Sequence, residues 1–115
     1  MTFPGPLPEG AIAVIFTSMR SADDDHGYEA MAERMLELVE AQHGYLGATS
    51  VRDPATRVGI TVSYWVDESA ARQWKQVAEH QLAQREGRRH WYEHYRVEVC
   101  RVVRQYDHTS STLDD

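Results

Sequence analysis

The chain has a single cysteine, Cys100, in 115 residues, so no intramolecular disulfide can form. Its place within Val97–Val103 marks it as a small buried hydrophobe rather than a nucleophile. Long apolar runs are also missing. The longest, Ala11–Phe16, falls far short of the roughly 20 residues a spanning helix needs, and no basic stretch followed by an apolar one opens the chain. The expectation is a cytoplasmic protein with no membrane partner. Nor is there an excess of positive charge: 12 basic against 18 acidic side chains leave a formal charge of −6, which repels phosphate backbones and argues against nucleic acid as a partner. Arg52 and Arg57, or the group Arg85, Arg88 and Arg89, could make a local anion site. Basic residues close in sequence are ordinarily a solvated face, and that reading is preferred. A glycine-rich phosphate loop, a G-x-S-x-G elbow, a cysteine pair and nucleotide or flavin motifs are all lacking. The run Asp23-Asp24-Asp25 reads as charge at a helix start rather than a ligand cluster.

What is present describes one small domain. Hydrophobic residues make up 42% and charged residues 26%, which is ordinary globular usage, and the length leaves no room for a second domain. Residues 1–10, with prolines at 4, 6 and 8, predict an extended arm, and residues 107–115 a frayed polar tail. The folded part is expected over 11–106. Ala11–Thr17 is nearly all apolar and rich in β-branched residues, as in a strand covered on both faces. Ser21–Asp25 supplies capping groups for a helix in which Tyr28, Met31, Met35, Leu38 and Val39 recur at spacings of three and four, and Gly44 ends it. Tyr45–Arg52 and Val58–Val66 form a hairpin around Asp53-Pro54-Ala55-Thr56. In the second of these strands Ile60, Val62 and Tyr64 alternate with Thr61, Ser63 and Trp65, an apolar face against a hydroxyl-bearing one. Asp67 caps a helix through Trp74 and Val77, a further helical stretch covers about Glu79–Tyr92, and Tyr95–Tyr106 alternates as a last strand. The order βαββαβ is the α+β, ferredoxin-like arrangement: an antiparallel sheet with helices on one face. The other face then needs cover, which predicts a homodimer through the sheet faces.

Two constellations could carry chemistry. His90-Trp91-Tyr92-Glu93-His94 fits the H-x-x-E-H pattern of a zinc peptidase, but such enzymes need a further ligand and a larger domain, so the histidines are read as the exposed end of a helix. Trp65, Trp74, Trp91 and His80 could instead line one pocket if the helices cover the hydroxyl-bearing sheet face. Aromatic walls with a few polar groups suit a planar apolar ligand, and a histidine titrating near neutrality can act as a base. The same tryptophans could equally be core residues.

Ala13-Val14-Ile15-Phe16-Thr17-Ser18, Tyr28 with Met31-Ala32-Glu33-Arg34-Met35, Gly44-Tyr45-Leu46-Gly47, and Ile60-Thr61-Val62-Ser63-Tyr64-Trp65 followed by Trp74-Lys75 and Glu79-His80 resemble the antibiotic biosynthesis monooxygenase domain. The resemblance spans about Ala11–Tyr106. It implies a dimeric α/β barrel of two ferredoxin-like sheets packed face to face, and oxidation of a planar aromatic or polyketide-like small molecule by O₂ with no cofactor. In that reading His80, Trp65 and Trp74 are the catalytic candidates and Trp91, Ser63 and Tyr64 the substrate-binding ones. Trp65 matches the tryptophan closing the third strand of quinone-forming members, whose asparagine is replaced here by Thr61. Relatives of the same fold degrade haem, and Trp74 matches their helical tryptophan. The chain has no asparagine at all, however, and Gln84 stands near the position of their iron-binding histidine, so haem is disfavoured. The remaining alternative is a non-catalytic dimer that binds a small ligand or stabilises an assembly.

Overall fold

The computed structural model describes residues 5–22, 25–84 and 91–108. Among these residues the elements in order are β1 Ile12–Arg20, α1 Asp25–Glu40, β2 Tyr45–Arg52, β3 Val58–Trp65, α2 Glu68–Gln84 and β4 Tyr92–Arg101. The four strands form one sheet in the order β2-β3-β1-β4, and every neighbouring pair is antiparallel. This is the ferredoxin-like α+β fold expected from the strand order.

Local chemistry explains most element ends. Asp67 caps α2, its Oδ1 accepting the Ala70 amide at 2.8 Å. Gly44 follows α1 with φ +81°, and a Cβ there would lie 2.6 Å from Ala70 Cβ and 2.7 Å from Val66 Cγ1. The position therefore needs glycine both for its left-handed backbone and for the close approach of α2. In the hairpin turn Asp53 Oδ1 accepts the Ala55 amide at 2.9 Å and Arg57 takes φ +63°, turning the chain back into β3. The arm is tied down near the other end of the chain, with Leu7 exchanging two hydrogen bonds with the Gln105 side chain at 3.0 and 2.7 Å.

Three expectations need correction. The helical stretch does not reach Tyr92: its described part, up to Gln84, continues α2 as one helix, and Tyr92 opens β4, paired with Arg20 across an irregularity beside Met19. The Tyr92 ring packs on Phe16 at 5.5 Å and Tyr28 at 6.1 Å, contacts made by its place on the sheet rather than by helix propensity. Gly87 and Arg85, Arg88 and Arg89 lie outside the described residues, as do Asp23, Asp24 and His90. His94 is consequently a strand residue, exposed and paired with Met19, so the H-x-x-E-H run does not place two histidines on a helix. Cys100 is exposed on β4, because its register partner Ala13 faces away from the helices and β4 is an edge strand.

Both helices pack on one face of the sheet. Two clusters hold them there. Ile12, Val39, Trp65, Ala70 and Ala71 form one, and Met31, Leu82 and Trp91 the other. The opposite face carries Ile60 and Met19, each 41% exposed, and Val51, 64% exposed.

Candidate functional site

Strand register builds the floor of the site. Three successive rungs point their side chains at the helices: Ala48, Ser63, Val14 and Val99; then Ser50, Thr61, Phe16 and Val97; then Arg52, Gly59, Ser18 and Tyr95. Because side chains alternate along a strand, the hydroxyls of β3 fall on the helix side and Ile60, Val62 and Tyr64 on the open side. A cavity of about 420 Å³ lies between this floor and the helices. Its roof includes Met31, Met35 and Leu36 from α1 and Trp74, Ala78 and Leu82 from α2. Val97 and Val99 line it and are 41% and 53% exposed, so it opens along the β4 edge.

Of the residues singled out from sequence, Trp74 and Ser63 line the cavity together. Trp65 stands directly behind both. It is fully buried, stacks on Trp74 with ring centres 6.0 Å apart at 22°, and donates its indole N–H to Ser63 Oγ at 2.9 Å. Ser63 thus accepts from the core and has its own hydroxyl hydrogen to offer the cavity. Tyr64, one residue away, faces the open side. Trp91 is buried in the second cluster with Tyr28 edge-on at 6.3 Å, and it is a packing residue there rather than a wall. His80 is exposed on α2 and does not line the cavity, although its neighbour Glu79 does. Among the described residues no histidine or cysteine lines the cavity.

The structure adds an end of the cavity that the sequence reading passed over. Phe16, Tyr92 and Tyr95 form an aromatic triangle with centres 5.5 to 5.8 Å apart, closed by Tyr28. Burial, with Tyr28 beside it, pushes the Tyr92 phenol well above the usual tyrosine value despite the cations nearby, so it stays a hydrogen-bond donor throughout the physiological range. Arg52 projects among these rings: Nη2 donates to Tyr28 Oη at 3.2 Å and to Ser18 Oγ at 3.1 Å, and Nη1 donates to the Arg57 carbonyl at 2.7 Å. Arg20 sits over the Tyr28 ring, its Cζ 3.5 Å from the ring centre, and both Arg20 and Arg57 bond Asp25 Oδ1, at 3.1 and 2.9 Å. Those guanidiniums, Arg57's hydrogen bond foremost, hold the Asp25 carboxyl below the ordinary range. The sequence signal for this end was Gly59, a glycine inside a strand, which often marks a close approach of another group.

Among the described residues no group of three His, Cys, Asp or Glu side chains could hold a metal ion, and no helix is long and apolar enough to cross a membrane. A small α+β sheet whose helices roof a ligand-sized cavity defines the class. The family model for antibiotic biosynthesis monooxygenases matches residues 11–86, and the chain belongs to that family. Over its whole length it is similar to YqjZ of Bacillus subtilis (strain 168), 45% identical over 115 residues that cover 99% of each chain. Among solved structures it resembles SnoaB of Streptomyces nogalater, a cofactor-independent oxygenase, with a TM-score of 0.64 at 13% identity over 84% of this chain and 96% of that one. PA3566 of Pseudomonas aeruginosa superposes with a TM-score of 0.66 at 16% identity, covering 87% and 100%. At these identities the structural likeness speaks for the fold.

Proposed function

We propose that the chain is a cofactor-independent monooxygenase that oxidises a planar aromatic compound with O₂ in the cavity between helices and sheet. The observation that carries this reading is the cavity itself: its volume falls in the range of about 300–1,000 Å³ typical of small-molecule sites, and an indole, aliphatic side chains and strand hydroxyls line it. Family membership and the likeness to a cofactor-independent oxygenase support the reaction class. An acidic ring methylene flanked by phenols loses a proton to give an electron-rich anion, which transfers electrons to O₂. One oxygen atom enters as the new C=O, the two hydrogens leave the carbon, and the other oxygen departs as water. The protein binds the ring, holds it away from bulk water and receives the proton.

Trp74 provides the flat wall, with Trp65 behind it, and Ser63 offers its hydroxyl to the oxygenated edge of the ring. Glu79 takes the proton in this reading in preference to His80, since it lines the cavity and His80 faces solvent. Two copies pack through the open sheet face, covering Ile60, Val51 and Met19.

The test is oxygen uptake with an anthrone. Wild type should consume O₂, Glu79→Gln should slow it by about tenfold or more and His80→Ala should leave it within about twofold, since a general base contributes on the order of 10²–10⁴ in rate. Loss of activity in His80→Ala alone would restore histidine as the base. If O₂ stays untouched while the ring still binds, the domain is a ligand carrier and not an oxidase. Hemin titration covers the haem alternative: a Soret shift would support it and a flat spectrum would remove it.

A further inference from the structure

Arg52 brings a permanent positive charge to the cavity wall, and among the described residues no carboxylate answers it. The other described charged groups of the lining pair among themselves along α2: Arg72 with Glu68 at 3.6 Å and Lys75 with Glu79 at 3.9 Å. The nearby acids are also engaged elsewhere. Asp25 is held by Arg57 and Arg20, and Asp53 accepts the Ala55 amide in its own turn. The three acceptors that Arg52 does find, Ser18 Oγ, Tyr28 Oη and the Arg57 carbonyl, are all neutral. They fix the guanidinium without cancelling its charge.

The position is built. Arg52 starts on β2 and crosses β3 to reach Ser18 on β1, and this path exists only because residue 59 has no side chain. A Cβ at Gly59 would stand 2.6 Å from both Cζ and Nη2 and 3.0 Å from Nη1. The left-handed backbone at Arg57 belongs to the same device, since its carbonyl accepts both the Arg20 amide at 2.9 Å and Arg52 Nη1 at 2.7 Å. A guanidinium has five N–H groups in a planar fork. Three are used here, both of those on Nη2 among them, and either of the two that remain, one on Nε and one on Nη1, can donate to a carboxylate oxygen.

We propose that Arg52, seated on Gly59 beside the aromatic end of the cavity, receives a carboxylate of the ligand, so that the molecule taken by this site is a planar aromatic acid. The identity of the ligand as a substrate rests on the oxidation proposed above, but its binding does not. The ring lies toward Trp74 and the acid group toward Arg52 and Tyr28.

The experiment is calorimetric titration with a matched pair, 2-naphthoate and 2-naphthylmethanol, which share a ring system and differ in charge. Wild type should bind the acid at least about tenfold more tightly, the scale of one charge-assisted contact. Arg52→Gln should abolish the preference and Arg52→Lys should keep part of it. Gly59→Ala, which leaves every charge in place, should reduce the preference by displacing the guanidinium, whereas Arg34→Gln on exposed α1 should leave it intact. Equal affinities in the wild-type protein would overturn the proposal with no variant needed. So would a preference that survives in Arg52→Gln. Oxygen uptake without acid preference would sink this inference and keep the oxidase, and acid preference without oxygen uptake would do the reverse.

Discussion

Removing the Ser63 hydroxyl should unsettle the protein from within the cavity floor. Trp65 is fully buried, and its indole N–H has Ser63 Oγ as its acceptor at 2.9 Å. Ser63→Ala leaves that donor unmade in a place that water reaches only through the cavity, and an orphaned buried donor costs about 1–3 kcal/mol. The lower end applies if one water enters the vacated space. For a chain of this length each kcal/mol lowers the melting temperature by roughly 3–5 °C, so the expected drop is about 3–15 °C. Trp65→Phe removes the donor as well and adds a packing defect of about 1–3 kcal/mol against Trp74 and Tyr45. The informative quantity is the double-mutant cycle. Once the indole is gone, the Ser63→Ala change no longer orphans anything, so the double variant should be more stable than the sum of the singles implies by about 1–2 kcal/mol. Urea unfolding at one fixed protein concentration measures all four proteins, so that any contribution from association is common to them and drops out of the cycle. Additivity within about 0.5 kcal/mol would refute the reasoning, because it would mean that the bond contributes nothing to holding Trp65 behind Trp74.

Gly44→Ala should destabilise by more than about 2 kcal/mol, since a left-handed backbone penalty adds to the clash with Ala70 and Val66. The pairs of Asp25 give an acid-dependent contribution. Its folded pKa lies below the ordinary value of 3.8, so the stabilisation is present above that value and fades as pH falls through the lower folded one; thermal melts of wild type and Asp25→Asn should differ at pH 7 and converge on acidification. Tyr92 behaves in the opposite sense: its raised pKa means that stability is kept below pH 10 and lost above it, and Tyr92→Phe should flatten that alkaline fall in melting temperature. Ile60→Lys on the open face should shift light scattering from dimer to monomer while leaving the circular dichroism of the fold unchanged.

Signals that act within a few residues were legible. β2 occupies Tyr45–Arg52 as read, because Gly44 and the Asp53-Pro54 turn punctuate both of its ends, and Asp67 caps α2 as its place before the helix requires. The sequence also separated the two faces of β3, and the helices chose the hydroxyl-bearing one. What failed were readings that ignored phase or needed distant partners. Each helical residue advances about 100°, so Trp74, Lys75, Ala78, Glu79 and Leu82 share an arc of about 140° facing the cavity, and His80 falls opposite the middle of that arc. The same reasoning divides Ser63 from Tyr64, adjacent on a strand and therefore on opposite faces. Tyr92 was drawn into a helix because the place of β4 depends on pairing with β1, a contact that no local pattern encodes.

Arg52 shows the limit of reading charge along the chain. Beside Arg57 in sequence it looked like part of a solvated basic patch, and the total of −6 spoke against anionic partners. Physiological salt screens charges over about 8 Å, so that total governs how the whole surface meets large polyanions and says little about a group inside a cavity. There the groups within a few ångströms count most: among the described lining residues, four α2 charges cancel in pairs, Arg52 is left over, and the oxygens it meets on Ser18, Tyr28 and Arg57 are neutral. The feature that put it there is the missing side chain at Gly59, visible in the sequence but interpretable only once the register sets Arg52, Gly59 and Ser18 on a single rung. An acidic protein can therefore hold a site for an acid, provided the cation that recognises it is fixed by neutral partners and kept from the protein's own carboxylates.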